Sequence, residues 1–192
     1  MGVPPDPQRN GNAHRQEAPT AKVALAEPPE GHRPPVVKSY LAEGLLRVST
    51  TVLRYQTERG PQFIDITDDV AHVVTVAGIT NGLVTAYSRH TTAAIKINEH
   101  EPELIKDMER FLREICPEDR DYYHNNFIVR YVNMEEDESP NAHSHCQHLL
   151  LSTSETIPVI NGYLQVGRWQ RLFLVELDRA RTREVAVQIM GC

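Results

Sequence analysis

The 192-residue chain has few cysteines, few aromatic residues and no long hydrophobic segment, and these shortages exclude several classes of protein. Its three cysteines, Cys116, Cys146 and Cys192, are too few and too scattered for a disulfide framework. The apolar runs are far shorter than the ~20 residues needed to cross a bilayer, and the N-terminus lacks the pattern of a signal peptide. We therefore expect a cytoplasmic protein that does not enter the membrane.

An excess of basic charge is also missing, because the formal net charge is −6. Residues 1–36 carry four basic and four acidic side chains, so the whole acidic excess lies in residues 37–192. Such a surface is a poor match for a phosphate backbone, and nucleic acid is not an expected partner.

Apolar residues able to form a core are scarce in residues 1–36. This segment holds eight of the thirteen prolines and neither an aromatic residue nor an isoleucine. Burial of so little apolar surface does not offset the entropy of ordering the chain. We expect a disordered Pro-rich tail over residues 1–36 and a single folded domain over residues 37–192.

The folded part has the pattern of an α+β domain with a mostly antiparallel, β-sandwich-like sheet and a few helices. One helix is predicted to be capped by Thr67 and to end at Gly78, and a second begins at Pro102. Residues 141–152 are compatible with a short helix or an extended segment. Alternation and apolar runs predict strands over 45–57, 83–88, 93–98, 156–160, 163–166, 169–177 and 183–190.

Nine histidines are many for a chain of this length, and several lie in short polar clusters. These clusters include residues 88–92, 122–126 and 141–148, with Glu99 close to the first. Imidazole binds metals and carries protons near neutral pH. Two or three histidines from separate segments, together with Glu99, would form an open metal site of the catalytic type.

The geometry of residues 141–152 decides which histidines act together. A helix places His145 and His148 on one face, whereas an extended segment pairs His143 with His145. Cys146 is a further candidate ligand, but no CxxC motif accompanies it, which argues against a closed structural zinc site.

The C-terminal third supplies candidates for substrate binding. The single tryptophan, Trp169, lies beside Gln170 and is either a core residue or a platform for a flat ring. Glu176 interrupts an apolar run and must face solvent, a partner or a site. The alternating Arg179, Arg181 and Arg183 predict a row on one side of a strand, either solvated or acting as a phosphate clamp.

Five motifs in this order resemble the YjbQ family, also called the secondary thiamine-phosphate synthase family. The resemblance covers residues 38–191 and rests on HTTAAIKINE (90–99), YYHNN (122–126), NAHSH (141–145), NGYLQVGRWQ (161–170) and ELDRARTREVAVQIMG (176–191). The chain departs from the family where Asp-Gly-Pro-Arg is replaced by Asp178-Arg179-Ala180-Arg181, and Arg168 replaces a small residue.

The resemblance implies a homotrimer of β-sandwich domains with sites near the subunit interfaces. It favours His145 over His143 as the functional histidine. It implies catalytic roles for His90, Glu99, His124, His145 and Glu176, and substrate-binding roles for Asn141, Trp169, Gln170 and Arg181.

The activity associated with the family joins a pyrimidine pyrophosphate to a thiazole phosphate and releases pyrophosphate. The expected ligand is therefore a small phosphorylated metabolite. A divalent metal, zinc or magnesium, is an expected cofactor with His90, His124 and His145 as its ligands.

Two other functions use the same residues. One is metal-dependent hydrolysis of a phosphate ester. The other is a non-catalytic trimer that binds a metabolite or a metal, which the absence of a GxSxG motif, a P-loop and a CxxC pair favours.

Overall fold

A computed structural model describes residues 43–134, 136 and 138–192. The predicted tail and the predicted boundary near residue 37 lie outside the described residues. Within the described part, no helix is long and apolar enough to span a membrane.

Eight strands form two antiparallel sheets, which confirms the predicted fold class. The strands are β1 (Arg47–Gln56), β2 (Gln62–Asp65), β3 (Gly82–Ser88), β4 (Ala93–Glu99), β5 (Ser154–Ile160), β6 (Tyr163–Leu164), β7 (Gln170–Glu176) and β8 (Thr182–Gly191). A five-stranded sheet has the order β1-β8-β3-β5-β6, and a three-stranded sheet has the order β2-β7-β4. Sequence alternation predicts seven of these strands, but not the four-residue β2.

The three helices are α1 (Thr67–Ala77), α2 (Pro102–Ile115) and α3 (Ala142–His148), with a 3₁₀ turn at Tyr123–Asn125. Gly78 ends α1 with φ of 61°, as predicted. The predicted cap of α1 is wrong: Thr67 is the first helical residue, and Asp65 Oδ1 accepts its backbone N–H at 3.0 Å. Segment 141–152 adopts the helical alternative, so His145 and His148 share a face.

The core lies on both sides of the three-stranded sheet. Leu172 and Leu174 of β7 pack toward α1 and the five-stranded sheet, whereas Phe173 and Val175 belong to a second cluster with Leu112 of α2. Strand β7 is therefore buried on both faces. Its unbroken apolar run follows from this position, since neither set of side chains meets solvent.

Glu176, at the end of β7, forms a buried ion pair with Arg183 of β8. Arg183 donates from Nε to Oε2 and from Nη2 to Oε1, both at 2.5 Å. The carboxylate also accepts from Thr57 Oγ1 and from the backbone N–H groups of Leu177 and Asp178. The carboxylate of Glu176, for which the sequence leaves solvent, a partner or a site open, is thus neutralised by Arg183 inside the protein.

Removal of the charge on Glu176 is expected to destabilise the fold strongly. Glu176→Gln leaves the Arg183 guanidinium buried without a counter-ion, and we expect the free energy of unfolding to fall by about 3 kcal/mol. Chemical denaturation measures the change. Glu114→Gln, on the exposed surface of α2, is the matched control and should change stability by less than ~0.5 kcal/mol. An equally small loss of stability in both variants would contradict the structural role of Glu176.

Candidate functional site in two separate clefts

The largest group of polar candidates lines a cleft of about 390 Å³, here called the arginine–histidine cleft. It lies where the loop after β7 meets α3 and the segment that precedes α3. Its lining residues are Thr91, His124, Arg130, Asn133, Glu138, Asn141, His145, Arg179 and Arg181.

Side-chain hydrogen bonds of α3 hold the histidines of this cleft in place. Ser144 Oγ donates to the Leu177 carbonyl at 2.8 Å, and Gln147 Nε2 donates to the Leu112 carbonyl at 3.0 Å. These bonds fix α3 to both β7 and α2. His145 then projects beside His124, with 4.8 Å between the ring centroids.

Burial and neighbouring charge lower the pKa of His145 below its usual value. Desolvation makes the largest contribution, and the neighbouring His124 and Arg130 add to it, while Asp178 opposes it. The neutral imidazole therefore predominates at pH 7. It has a free lone pair that can accept a proton or bind a metal.

The arginines of the cleft leave a formal excess of positive charge. Glu138 pairs with both terminal nitrogens of Arg130, and Asp178 Oδ2 lies 2.9 Å from Arg181 Nε. The Arg179 guanidinium has no hydrogen bond or ion pair within the described part of the chain. Among the described residues, three arginines thus face two carboxylates, which is an arrangement suited to an anion.

Three buried polar atoms at the cleft have no hydrogen-bond partner among the described residues. One is Arg181 Nε, which lies 2.9 Å from Asp178 Oδ2 but without hydrogen-bond geometry. Asn141 is only 8% exposed, and its Oδ1 accepts no hydrogen bond. His124 Nε2 is also unpaired, with Glu138 3.7 Å away. Unpaired buried groups cost free energy, and a bound ligand would relieve this cost.

A second group of candidates lies in the tryptophan cleft, which measures about 410 Å³. Its lining residues are Asp65, Glu99, His100, Glu101, Arg168, Trp169 and Arg171. Trp169 is 61% exposed, and the Arg168 guanidinium lies 4.5 Å from its ring centroid. Of the two alternatives for Trp169, the structure favours a surface platform over a core residue.

The register of β4 and β7 places the two clefts far apart. Glu99 pairs with Gln170 at one end of this strand pair, and Ala93 pairs with Glu176 at the other. Six residues of strand separate the ends, which corresponds to about 20 Å at ~3.3 Å per residue. The predicted site residues of one chain therefore do not form one site.

The remaining predicted site residues line neither of the two clefts. His90 Nε2 accepts the backbone N–H of Glu184 at 2.8 Å, and burial followed by the charge of Arg183 lowers the His90 pKa. Glu176 is fully buried in its ion pair. Gln170 borders the tryptophan cleft, where its Oε1 accepts the Gly167 N–H.

The predicted metal ligands are only partly assembled. No group of three or more histidine, cysteine, aspartate or glutamate residues within metal-binding geometry occurs in residues 43–134, 136 and 138–192. His124 and His145 are adjacent, but the Nε2 of His90 is engaged elsewhere. A divalent metal stays a prediction, with His124 and His145 as the imidazoles that could hold it.

The predicted row of three arginines is wrong. Arg183 is buried in β8, while Arg179 and Arg181 precede that strand and line the arginine–histidine cleft. Sequence reasoning also missed Arg130 and Glu138, whose spacing in a loop carries no periodic signal. His100 was also absent from the predicted site, although its position next to Glu99 could have indicated one.

Comparison with known proteins identifies one family. The family described as "UPF0047 protein YjbQ-like" matches residues 51–192. A UPF0047 protein of Methanothermobacter thermautotrophicus is 40% identical over 146 residues, covering 76% of this chain and 94% of that protein. Bacillus subtilis YugU is 32% identical over 140 residues, covering 72% of this chain and 97% of YugU.

Solved structures agree with this result. A YbjQ-like protein of unknown function from Sulfolobus solfataricus aligns with a TM-score of 0.69 at 34% identity, covering 77% of this chain and all of that one. A hypothetical protein from Aeropyrum pernix aligns with a TM-score of 0.67 at 35% identity, covering 75% and 99%.

The lowered pKa of His145 can be measured by NMR titration of its ring proton. We expect its midpoint to lie below 6.5, the ordinary value for histidine. His124→Gln should raise this midpoint, because it removes a neighbouring imidazole that opposes protonation. His72→Gln, on the exposed surface of α1, should leave it unchanged. A midpoint at or above 6.5 would contradict the lowered pKa of His145.

Proposed function

The chain belongs to the UPF0047 YjbQ-like family, and we propose that it is a cytoplasmic enzyme that acts on a small phosphorylated metabolite. The observation that carries this proposal is the convergence of three arginines and two histidines on one cleft. Guanidinium groups form strong, charge-assisted hydrogen bonds with phosphate oxygens. The phosphate or pyrophosphate of the substrate would bind there.

The unpaired atoms of the cleft suit a phosphate that retains a proton. Asn141 Oδ1 is an acceptor without a donor, and a P–OH group would supply one. His124 Nε2 would donate to, or accept from, a neighbouring phosphate oxygen. Arg179, which has no partner in the described residues, would contribute its charge without first breaking an ion pair.

The proposed reaction is that of a thiamine-phosphate synthase. The ring nitrogen of a thiazole phosphate attacks the methylene carbon of a pyrimidine pyrophosphate, so that a C–N bond forms and a C–O bond breaks. The electron pair of the broken bond leaves with pyrophosphate. The arginines and histidines would stabilise the charge that develops on this leaving group.

No serine, cysteine or threonine with an adjacent general base is needed in such a reaction, since one substrate attacks the other. Thr91 is the one hydroxyl side chain in the lining of the arginine–histidine cleft. This composition supports transfer between two substrates over hydrolysis through a covalent enzyme intermediate. Binding of the metabolite without turnover would instead indicate a regulatory protein.

A complete site would require two copies of the chain. Glu99 and Trp169 lie at one end of the strand pair β4–β7, and the loop that carries Arg179 and Arg181 follows its other end, about 20 Å away along the strands. A head-to-tail contact would bring the tryptophan cleft of one copy against the arginine–histidine cleft of the next. We infer that the chain assembles as a homotrimer through such contacts.

The outer face of the five-stranded sheet supports association between copies. Val48, Met190 and Leu83 form one cross-strand row, and each is more than 40% exposed. Val52 and Tyr87 are similarly exposed four residues further along their strands, beyond a row of polar side chains. Exposed apolar side chains on one sheet face are typical of protein–protein interfaces.

Anion binding is the most direct test of the arginine–histidine cleft. Calorimetric titration with inorganic pyrophosphate should show binding, and Arg181→Met should weaken it about tenfold, because one charge-assisted contact is lost. The matched control is Arg110→Met, on the exposed surface of α2. Pyrophosphate binding that is absent, or equally strong in all three proteins, would contradict this assignment.

Subunit complementation tests the composite site. His145→Ala and Trp169→Ala homo-oligomers should each be inactive in forming thiamine phosphate. After the two are unfolded together and refolded as a mixture, up to about a quarter of the head-to-tail contacts should have both clefts intact. Recovery of activity in the mixture is the expected result. A mixture as inactive as its parents would contradict a site shared between copies.

A further inference from the structure

We propose that His100, oriented by Asp65, is a specificity-determining acceptor of the tryptophan cleft, and that this cleft binds a planar nitrogen heterocycle carrying N–H donors and positive charge. The proposal deepens the proposed function, because it names the chemistry of the substrate part opposite the phosphate. It assigns roles to two residues that sequence analysis left outside the site.

The position of the His100 ring is fixed from two sides. Its Nδ1 lies 2.8 Å from Asp65 Oδ2, and its ring meets Phe173 edge to face at 5.5 Å between centroids. Phe173 is fully buried, so this contact belongs to the rigid core. The His100 side chain is nevertheless 48% exposed, and it lines the cleft.

Asp65 is held in its ionised form. Burial alone would raise its pKa, but hydrogen bonds from Arg171, Thr67 and His100 outweigh burial and lower the pKa to about 2. A carboxylate only accepts hydrogen bonds, so Nδ1 of His100 must carry the hydrogen of this contact. In neutral His100, Nε2 is therefore the acceptor, and it is available to a ligand.

A second acceptor lies beside His100. The Glu99 carboxylate makes no hydrogen bond or ion pair with any described residue, although the residue is half-buried. The other carboxylates of the cleft are engaged: Asp65 binds Arg171, and Glu101 accepts the N–H groups of Glu103 and Leu104 at the start of α2. Glu99 and His100 are thus the two free acceptors.

Trp169 supplies the third element of recognition. Its exposed ring attracts a flat cation through both stacking and the negative potential of the ring face, and Arg168 already uses this attraction on one side. A ligand that satisfies the three groups must be planar, must donate N–H hydrogen bonds and must be positively charged. Amino-substituted nitrogen heterocycles have these properties.

The fluorescence of Trp169 reports on this cleft directly, because it is the only tryptophan in the chain. The probe is 4-aminopyridine, which is planar and cationic at pH 7, and its counterpart is the 1,4-dimethylpyridinium ion, which is planar and cationic but has no N–H donor. We expect 4-aminopyridine to quench the fluorescence of the full-length protein and to bind at least tenfold more tightly than 1,4-dimethylpyridinium.

The variant that isolates the acceptor is His100→Phe, which retains an aromatic ring against Phe173. We expect it to reduce the preference for 4-aminopyridine to about twofold, whereas a purely structural role would weaken both probes equally. Glu99→Gln should weaken 4-aminopyridine binding about tenfold through loss of a charged acceptor. Glu103→Gln, on the exposed first turn of α2, is the matched control and should behave like the wild type.

Three results would overturn the proposal: no quenching by 4-aminopyridine, equal affinity for the two probes, or an unchanged preference in His100→Phe. Its failure is distinguishable from failure of the proposed function. Pyrophosphate titration examines the arginine–histidine cleft alone, and the fluorescence experiment examines the tryptophan cleft alone.

Discussion

The buried ion pair between Glu176 and Arg183 is the interaction on which the arginine–histidine cleft depends. It joins the end of β7 to the beginning of β8, and the loop between them carries Arg179 and Arg181. A buried ion pair is costly unless its remaining donors and acceptors are satisfied. Here they are, because Arg183 Nη2 also donates to Thr92 Oγ1 at 2.9 Å and Glu176 accepts two backbone N–H groups.

Thr57 extends this network into the loop itself. Its hydroxyl accepts the Arg181 N–H at 2.8 Å, and its own N–H donates to the Arg181 carbonyl at 2.9 Å. Arg181 lines the cleft although Arg179 and Ala180 stand where the family resemblance predicts a Gly-Pro pair. Contacts from Thr57, which follows β1, therefore help to hold the loop.

Sequence pattern predicted the fold class, seven of the eight described strands and two helices. Most of these elements expose one face and bury another, and β7, which is buried on both faces, is recognisable from its apolar run. Sequence pattern failed where longer-range contacts decide the outcome. Ile66 occupies the N-cap position of α1, and Asp65 at the end of β2 accepts the N–H of Thr67, the first helical residue. Residues 142–148, for which the sequence leaves two conformations open, are helical, and Ser144 and Gln147 bind the carbonyls of Leu177 after β7 and Leu112 of α2.

The sequence indicates which residue types form the candidate site, but it does not indicate where in the fold these residues lie. Glu99 and Trp169 are separated from His145 because β4 and β7 are paired in antiparallel register, and only the register shows that the polar residues lie at opposite ends. Arg130 and Glu138 form an ion pair across an irregular loop. His100 gains its proposed role from Asp65, which is 35 residues away in sequence.

The two clefts lie at opposite ends of the three-stranded sheet, and this placement also constrains how copies of the chain could associate. A two-fold contact is isologous, so it would pair the two kinds of cleft only if both pairs met across one interface. A head-to-tail contact joins a cationic cleft to one with a free carboxylate, Glu99. Such contacts form either a closed ring or an open filament. In a ring of three, each arginine–histidine cleft meets the tryptophan cleft of the next copy. The proposed site and the proposed assembly therefore both depend on the two clefts lying at opposite ends of the chain's three-stranded sheet.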